Sequence, residues 1–186
     1  MLNKLLLHTC CAPCSIAIID ELRQTNELTV FFYNPNIFPA EEYPKRKYEV
    51  IRVCTEWQVP MVDVDYEAER WEELVAPLGQ GPEGGPRCSA CFRLRLARTA
   101  LHAQQNGFDI FATSLTMGRH KNAEVINAIG HSLGEQFAVR FNDEIWRRGG
   151  RSERGRALTT ERNIYRQKYC GCRFSLEAVL ARESES

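Results

Sequence analysis

The apolar positions of this chain form short unbroken runs separated by segments of helical period. Lys4-Leu5-Leu6-Leu7-His8 reads as a buried strand that runs into Cys10-Cys11-Ala12-Pro13-Cys14, after which Ser15 would cap a short helix through Leu22. Residues 28–33 predict a second strand, closed by the turn-forming Asn34-Pro35-Asn36. Beyond it Tyr43, Val50, Cys54 and Trp57 recur at spacings of seven, four and three, one face of a helix with Pro44 near its first turn. Residues 59–64 predict a third strand. A loop rich in Gly and Pro, 77–86, precedes a helix that begins near Cys88 and turns Leu94, Ala97 and Leu101 inward. Residues 108–113 predict a fourth strand, and Val125, Ile126, Ile129 and Leu133 mark another amphipathic helix.

Strand and helix alternate, which predicts an α/β fold: a parallel sheet covered by helices on both faces. Such folds bind ligands outside the carboxyl ends of their strands, and the first cysteine cluster lies at one of those ends. With no internal repeat, low-complexity tract or linker, residues 1–186 are expected to form a single domain, frayed beyond Ala181.

Composition adds little, because 44% hydrophobic and 26% charged residues with zero formal net charge describe an ordinary globular chain. The distribution of charge is more informative. Between residues 140 and 173 ten Lys/Arg stand against four Asp/Glu, a local balance of +6 that leaves the rest of the chain at −6. A basic lobe of this kind is expected to face something anionic. The N-terminal apolar run is too short for a signal peptide, and no stretch approaches the roughly 20 apolar residues of a membrane helix, so a cytoplasmic protein is expected. In that compartment thiols stay reduced, so the eight cysteines point to metal ligation or catalysis rather than to disulfides.

Seven of the eight fall into three groups: Cys10, Cys11 and Cys14; the C-x-x-C of Cys88 and Cys91; and the C-x-C of Cys170 and Cys172. Cys54, on an apolar helix face, reads as a small buried hydrophobe. One tetrahedral zinc would use four thiolates and leave three over, whereas an iron–sulfur centre beside a second metal or a redox pair would employ them all. Adjacent Cys10 and Cys11 in extended backbone would point to opposite sides and serve different centres. Gly171 allows the tight backbone that a C-x-C ligand pair needs, and Pro13 stiffens the first loop.

Arg87, Arg93, Arg95 and Arg98 surround the C-x-x-C with no acid between them, and the basic stretch 140–173 brackets the C-x-C. Positive charge, the aromatic residues Trp146, Tyr165 and Tyr169 and a metal centre together suggest a gripped phosphate backbone and a presented base, although packing would use the same aromatics. Among the histidines His8 is expected to be buried in a strand and His102 and His131 to lie at the surface, while His120 sits in a polar loop. None of the four reads as a metal ligand. Asn122 at a helix start reads first as a cap, with phosphate binding by the backbone as the alternative.

The segments LLLHTCCAPCS at 5–15, YNPNIFPAEEYPKRK at 33–47, RCSACFRLRL at 87–96, HKNAEVINAIG at 120–130 and YRQKYCGCRFS at 165–175 resemble the QueH family of epoxyqueuosine reductases over nearly the whole chain. The resemblance implies a fold related to the adenine-nucleotide α-hydrolase (HUP) group and a 4Fe-4S cluster with a nearby mononuclear iron. It also implies cobalamin-independent reduction of epoxyqueuosine to queuosine at the wobble position of tRNA anticodons, the last step of queuosine biosynthesis. Carried over by position, the cofactor ligands are Cys10, Cys11, Cys88, Cys91, Cys170 and Cys172, with Cys10 and Cys14 as candidates for the mononuclear iron. The chain departs from the family pattern at Cys14, where some members offer aspartate, and at Met117-Gly118-Arg119, where a Ser-Pro pair is expected. Partners implied are tRNA and an unidentified electron donor, with no membrane. Acidic residues near the pocket, Tyr33 or Tyr43 are candidate proton donors. The competing readings are an ATP-dependent tRNA sulfur-transferase, against which stands the lack of a Ser-Gly-Gly loop after the first strand, and a zinc-stapled RNA-binding module without catalysis.

Overall fold

A computed structural model describes residues 2–79 and 81–184. Five strands form one parallel sheet: β1 (Asn3–His8), β2 (Asn26–Phe32), β3 (Met61–Asp63), β4 (Ile110–Thr113) and β5 (Arg140–Phe141), in the order β3-β2-β1-β4-β5. Central β1 is apolar without alternation because both of its faces are covered. Leu5 and Leu7 join a core with Val30, Phe32, Ile110 and Ala112, whereas Leu6 joins the opposite core with Phe31 and Phe111. The first core is closed by α1 (Ala12–Leu22), α2 (Glu42–Glu56) and α6 (Arg151–Glu161), and the second by α4 (Pro86–Gln105) and α5 (Ala123–Phe137). The close fit of α5 on the sheet depends on Gly130, since a Cβ there would come within 2.3 Å of the Phe141 ring.

Two further helices, α3 (Ala68–Val75) and α7 (Arg173–Ser184), build a small third cluster in which Trp71, Val75 and Cys91 meet Cys172 and Phe174. The strand order places the site. The chain leaves β1 toward β2 on one side and leaves β4 toward β5 on the other, so the connections diverge at the carboxyl ends of β1 and β4.

The covered parallel sheet matches the pattern reading, and several details differ. Helix α1 begins at Ala12, ahead of the expected Ser15, because Pro13 suits the first turn; the Ser15 hydroxyl instead donates to the Cys11 carbonyl (2.9 Å). Strand β3 is shorter than 59–64. The inward face of α4 is Phe92, Leu96, Ala100 and Ala103 rather than Leu94, Ala97 and Leu101, because Arg87 and Arg95 are themselves buried and shift the apparent phase. Helix α7 continues past Ala181 to Ser184; residues 185 and 186 lie outside the described residues.

Candidate metal centre and substrate cavity

The chain leaving β1 turns into α1 at Cys11, whose extended backbone (φ −170°, ψ 158°) precedes the first helical residue. That turn overrides the alternation expected for Cys10 and Cys11. The sulfurs of Cys10, Cys11 and Cys14 all lie within 4.8 Å of one another, and Cys10 Sγ is 3.9 Å from Cys11 Sγ. The loop is fixed to the sheet by the Thr9 N–H donating to the Phe31 carbonyl (2.9 Å) and by Asn34 Nδ2 donating to the Thr9 carbonyl (2.9 Å). It is fixed to the end of β4 by the Cys10 N–H donating to Ser114 Oγ (3.1 Å), while the Ser114 hydroxyl donates to Cys10 Sγ (3.5 Å). Beneath it, buried His8 spans the sheet: Nε2–H donates to the Tyr33 carbonyl (3.2 Å), which leaves Nδ1 to accept from the Thr113 hydroxyl (2.9 Å). Burial, with Arg95 adding, lowers its pKa to about 3, so this histidine is a neutral strut.

Three thiols this close share one negative charge first. Hydrogen bonds from Cys11 and Cys14 hold the Cys10 thiol well below its usual value against the opposing effect of burial, and Lys121 and Ser114 contribute in the same direction. The hydrogen bond to Cys10 pushes Cys11 up to about 12 and Cys14 upward as well. Gln167 Nε2 donates to Cys11 Sγ (2.9 Å).

The second group comes from two distant segments. Cys88 and Cys91, one turn apart at the start of α4, line a small enclosed cavity together with Cys170 and Cys172. Burial raises the thiol pKa of Cys88, Cys91 and Cys172, and neighbouring cysteines of the same set raise each further. The C-x-C loop is tied down from α2. Arg46, with 2% exposure, pairs with Glu42 (2.8 Å), donates to the Cys170 carbonyl (3.0 Å) and lies 4.8 Å over the Tyr169 ring. Glu42 also accepts from the Tyr165 hydroxyl (3.0 Å), the Phe38 N–H donates to the Gly171 carbonyl (2.8 Å), and the Tyr169 hydroxyl donates to the Phe38 carbonyl. Gly171 has φ +143°, and a Cβ on it would lie 3.0 Å from both Arg46 Nη1 and Asn36 Nδ2.

A cavity of about 630 Å³ adjoins both groups, with Cys10 and Cys14 on one wall and Cys170 on the other. Half-buried Lys121 lines it. Burial would lower this ammonium's pKa, but the charges of Cys170, Cys10 and Cys14 win and raise it.

The family model described as epoxyqueuosine reductase QueH matches residues 5–178. The chain belongs to the QueH family of epoxyqueuosine reductases. The QueH protein of Histophilus somni is 40% identical over 94% of this chain and 72% of its own length, and that of Acinetobacter baylyi is 40% identical over 94% and 81%. The QueH protein of Thermotoga maritima is 36% identical over 94% of this chain and 91% of its own. Among solved structures, the U34-tRNA thiolase NcsA from Methanococcus maripaludis with its 4Fe-4S cluster superposes with a TM-score of 0.58 at 15% identity, over 94% of this chain and 62% of that one. A predicted subunit of tRNA methyltransferase from Methanocaldococcus jannaschii gives 0.54 at 13% identity, over 84% and 75%. At these identities the likeness concerns the fold alone.

All seven cysteines singled out in this QueH chain line the two adjoining cavities or belong to the close-set triad, while Cys54 is buried in α2 and burial pushes its thiol up to about 12. His102 is half-buried against Phe31, short of the surface position expected, whereas exposed His131 pairs with Asp143 (3.1 Å). His120 lines the large cavity. Asn122 caps α5, accepting from the N–H groups of Glu124 and Val125. Trp146 is core, Tyr165 is half-exposed and tied to Glu42, and Tyr169 lines the cavity. Tyr33 and Tyr43 do not line it: their hydroxyls are bonded to Glu67 (2.5 Å) and to the Val64 carbonyl (3.4 Å). Of the arginines around the C-x-x-C, Arg87 and Arg95 are buried and Arg93 is exposed. Sequence reasoning missed Lys121, Ser114 and the Glu42–Arg46 pair. The pair left a trace, since Glu42, Arg46 and Glu49 recur at the same spacing as the apolar face of α2 and are buried with it.

Proposed function

We propose that this chain, as one reductase domain over residues 1–186, reduces epoxyqueuosine in tRNA to queuosine, with its two thiol groups holding separate iron centres beside one cavity. The observation that carries the two-centre reading is the 630 Å³ cavity walled by thiols of both groups. Family membership supplies the reaction. The donor sets fit the groups: Cys88, Cys91, Cys170 and Cys172 offer the thiolates of a 4Fe-4S cluster, and Cys10, Cys11 and Cys14 offer three to a mononuclear iron. When bound, these groups supply electrons singly and draw charge from the epoxide oxygen.

Converting an epoxide to an alkene takes two electrons and two protons and releases water, and the electrons come from an external donor. The chain's own part is to present the base and to hold charge and protons where the oxygen departs. The Lys121 ammonium holds a proton at Nζ inside the cavity, beside Cys10, Cys14 and Cys170, and gives it to the departing oxygen. Tyr169 offers an aromatic wall to the unstacked wobble base, and Gln167 holds Cys11 in place. The cytoplasm is the compartment that keeps eight free thiols available. No helix among the described residues is long and apolar enough to cross a membrane.

Iron, sulfide and zinc are to be measured on anaerobically purified protein, followed by incubation with a reductant and epoxyqueuosine-containing tRNA and mass analysis of the nucleosides. The expected result is iron in excess of one cluster, with conversion to queuosine. Cys14→Ala should lose the excess iron and keep the sulfide, whereas Cys88→Ala should lose the sulfide. Zinc without iron and unchanged epoxyqueuosine would leave the zinc-stapled RNA-binding module standing.

A further inference from the structure

The basic stretch between residues 140 and 173 is largely neutralised from within the fold. Arg151 bridges Glu21 (2.7 Å) and Glu144 (2.9 Å), Arg154 meets Asp20 (2.9 Å), Arg156 meets Glu153 (2.8 Å), Arg162 meets Glu56 (2.9 Å) and Arg173 meets Glu72 (3.1 Å). Most of the local excess therefore fastens α6 and its neighbours to the acidic remainder of the chain. It is not one open lobe for an anion.

Of the arginines without an acidic partner among the described residues, Arg166 and, from outside the stretch, Arg119 flank one groove. The groove, of about 250 Å³, runs beside α6, floored by Pro13, Gly118 and Gly155 and flanked by Arg119, Arg156 and Arg166. No acidic side chain among the described residues lines it. Arg119 and Arg166 are exposed, and neither makes an ion pair or side-chain hydrogen bond among the described residues. The groove shares Cys14, Gly118, Arg119, His120 and Gln167 with the large cavity, so the two are continuous and meet at the cysteine triad. By contrast, the large cavity also carries Glu83 and Glu183. On the α6 side of the opening, Arg119 and Arg166 thus carry positive charge without a counter-ion among the described residues.

We propose that this groove is the track for the RNA backbone next to the modified nucleotide, with Arg119 and Arg166 as its phosphate contacts. A base that enters the cavity must leave its own phosphates outside, and a groove that has cations, no carboxylate and a glycine-lined floor suits a phosphodiester chain. The inference rests on the tRNA substrate proposed above.

The test is the salt dependence of binding to an anticodon stem-loop RNA, for the wild type and for Arg119→Gln, Arg166→Gln and Arg119→Lys, with Arg154→Gln as the paired-arginine control. Each neutral variant should lower the slope of log K against log salt by about 0.7, the contribution of one single-strand phosphate contact. Arg119→Lys, which keeps the charge, and Arg154→Gln should retain the wild-type slope. With epoxyqueuosine-containing tRNA the double neutral variant should raise KM roughly tenfold at unchanged kcat and iron content. Wild-type slopes in both single neutral variants and a wild-type KM in the double variant would overturn the groove while leaving the reductase intact. RNA binding that depends on both arginines in a protein unable to convert epoxyqueuosine would support the groove and sink the proposed reaction.

Discussion

The two thiol groups face the same cavity but are held by different means. Cys10, Cys11 and Cys14 lie at the end of the central strand, where backbone hydrogen bonds from β2 and the Ser114 hydroxyl fix the loop and the helix start sets the spacing. The site is an extension of the sheet. Cys170 and Cys172 are more than 150 residues away from that strand in sequence and sit in a loop between α6 and α7 that no strand supports. Besides one backbone hydrogen bond, from the Phe38 N–H to the Gly171 carbonyl, side chains hold them: the buried Glu42–Arg46 pair, the Tyr165 and Tyr169 hydroxyls and the glycine between the two cysteines. The first group is therefore expected to tolerate loss of any one neighbouring side chain, and the second to depend on a few.

The largest effect should come from breaking the buried pair. Arg46→Met removes the donor to the Cys170 carbonyl and leaves the Glu42 carboxylate, 5% exposed, without its cation. Removing one partner of a buried pair costs about 3–5 kcal/mol, whereas replacing both partners is milder. Urea unfolding should show that loss for Arg46→Met and a smaller one for the Glu42→Gln/Arg46→Met double variant. Sulfide content should fall with the single variant. A loss below about 1 kcal/mol, within the range of an exposed pair, would show that the C-x-C loop is held by something else.

Gly171→Ala sharpens the same contrast at a smaller cost. Its φ of +143° is strained for any residue with a Cβ, and the added methyl would press on Arg46 and Asn36. Strain of this kind amounts to about 1–3 kcal/mol. The expected readout is selective: sulfide and cluster absorbance decline, while iron bound by the Cys10 triad persists. An equal decline in both would mean that the two groups assemble as one unit.

The difference between the groups also explains what the sequence made legible. The strands of the inner sheet and the helices α2 and α5 bury whole apolar faces, so their period shows. Helices α6 and α7 bury little: Gly155, Leu158 and Thr159 in the first, Ser175 in the second. Helix α3 presents only Trp71 and Val75, and β5 has two residues. None of these leaves a periodic trace, yet α3 and α7 enclose the C-x-C. Cysteine spacing singled out the thiols because close-set cysteines stand out at a few adjacent positions. It did not reveal which thiols meet, since that depends on the turn at Cys11 and on where α7 docks. The basic stretch was legible as composition, but its partners are acids distant in sequence, such as Asp20, Glu21 and Glu56, so its internal neutralisation was not.

The smallest effect is expected at the better-supported group. Ser114→Ala removes a hydroxyl that accepts from the Cys10 N–H and donates to Cys10 Sγ. A buried hydrogen bond of this type contributes about 1 kcal/mol net. Because the Thr9 and Asn34 hydrogen bonds remain, the loop should keep its shape and the triad its iron, with the midpoint of urea unfolding only slightly lowered. The hydroxyl also favours negative charge on Cys10, so the variant's iron should be released somewhat faster to a chelator. Wholesale loss of triad iron in Ser114→Ala, as severe as that expected for the cluster in Arg46→Met, would erase the distinction between a centre held by the sheet and one held by side chains.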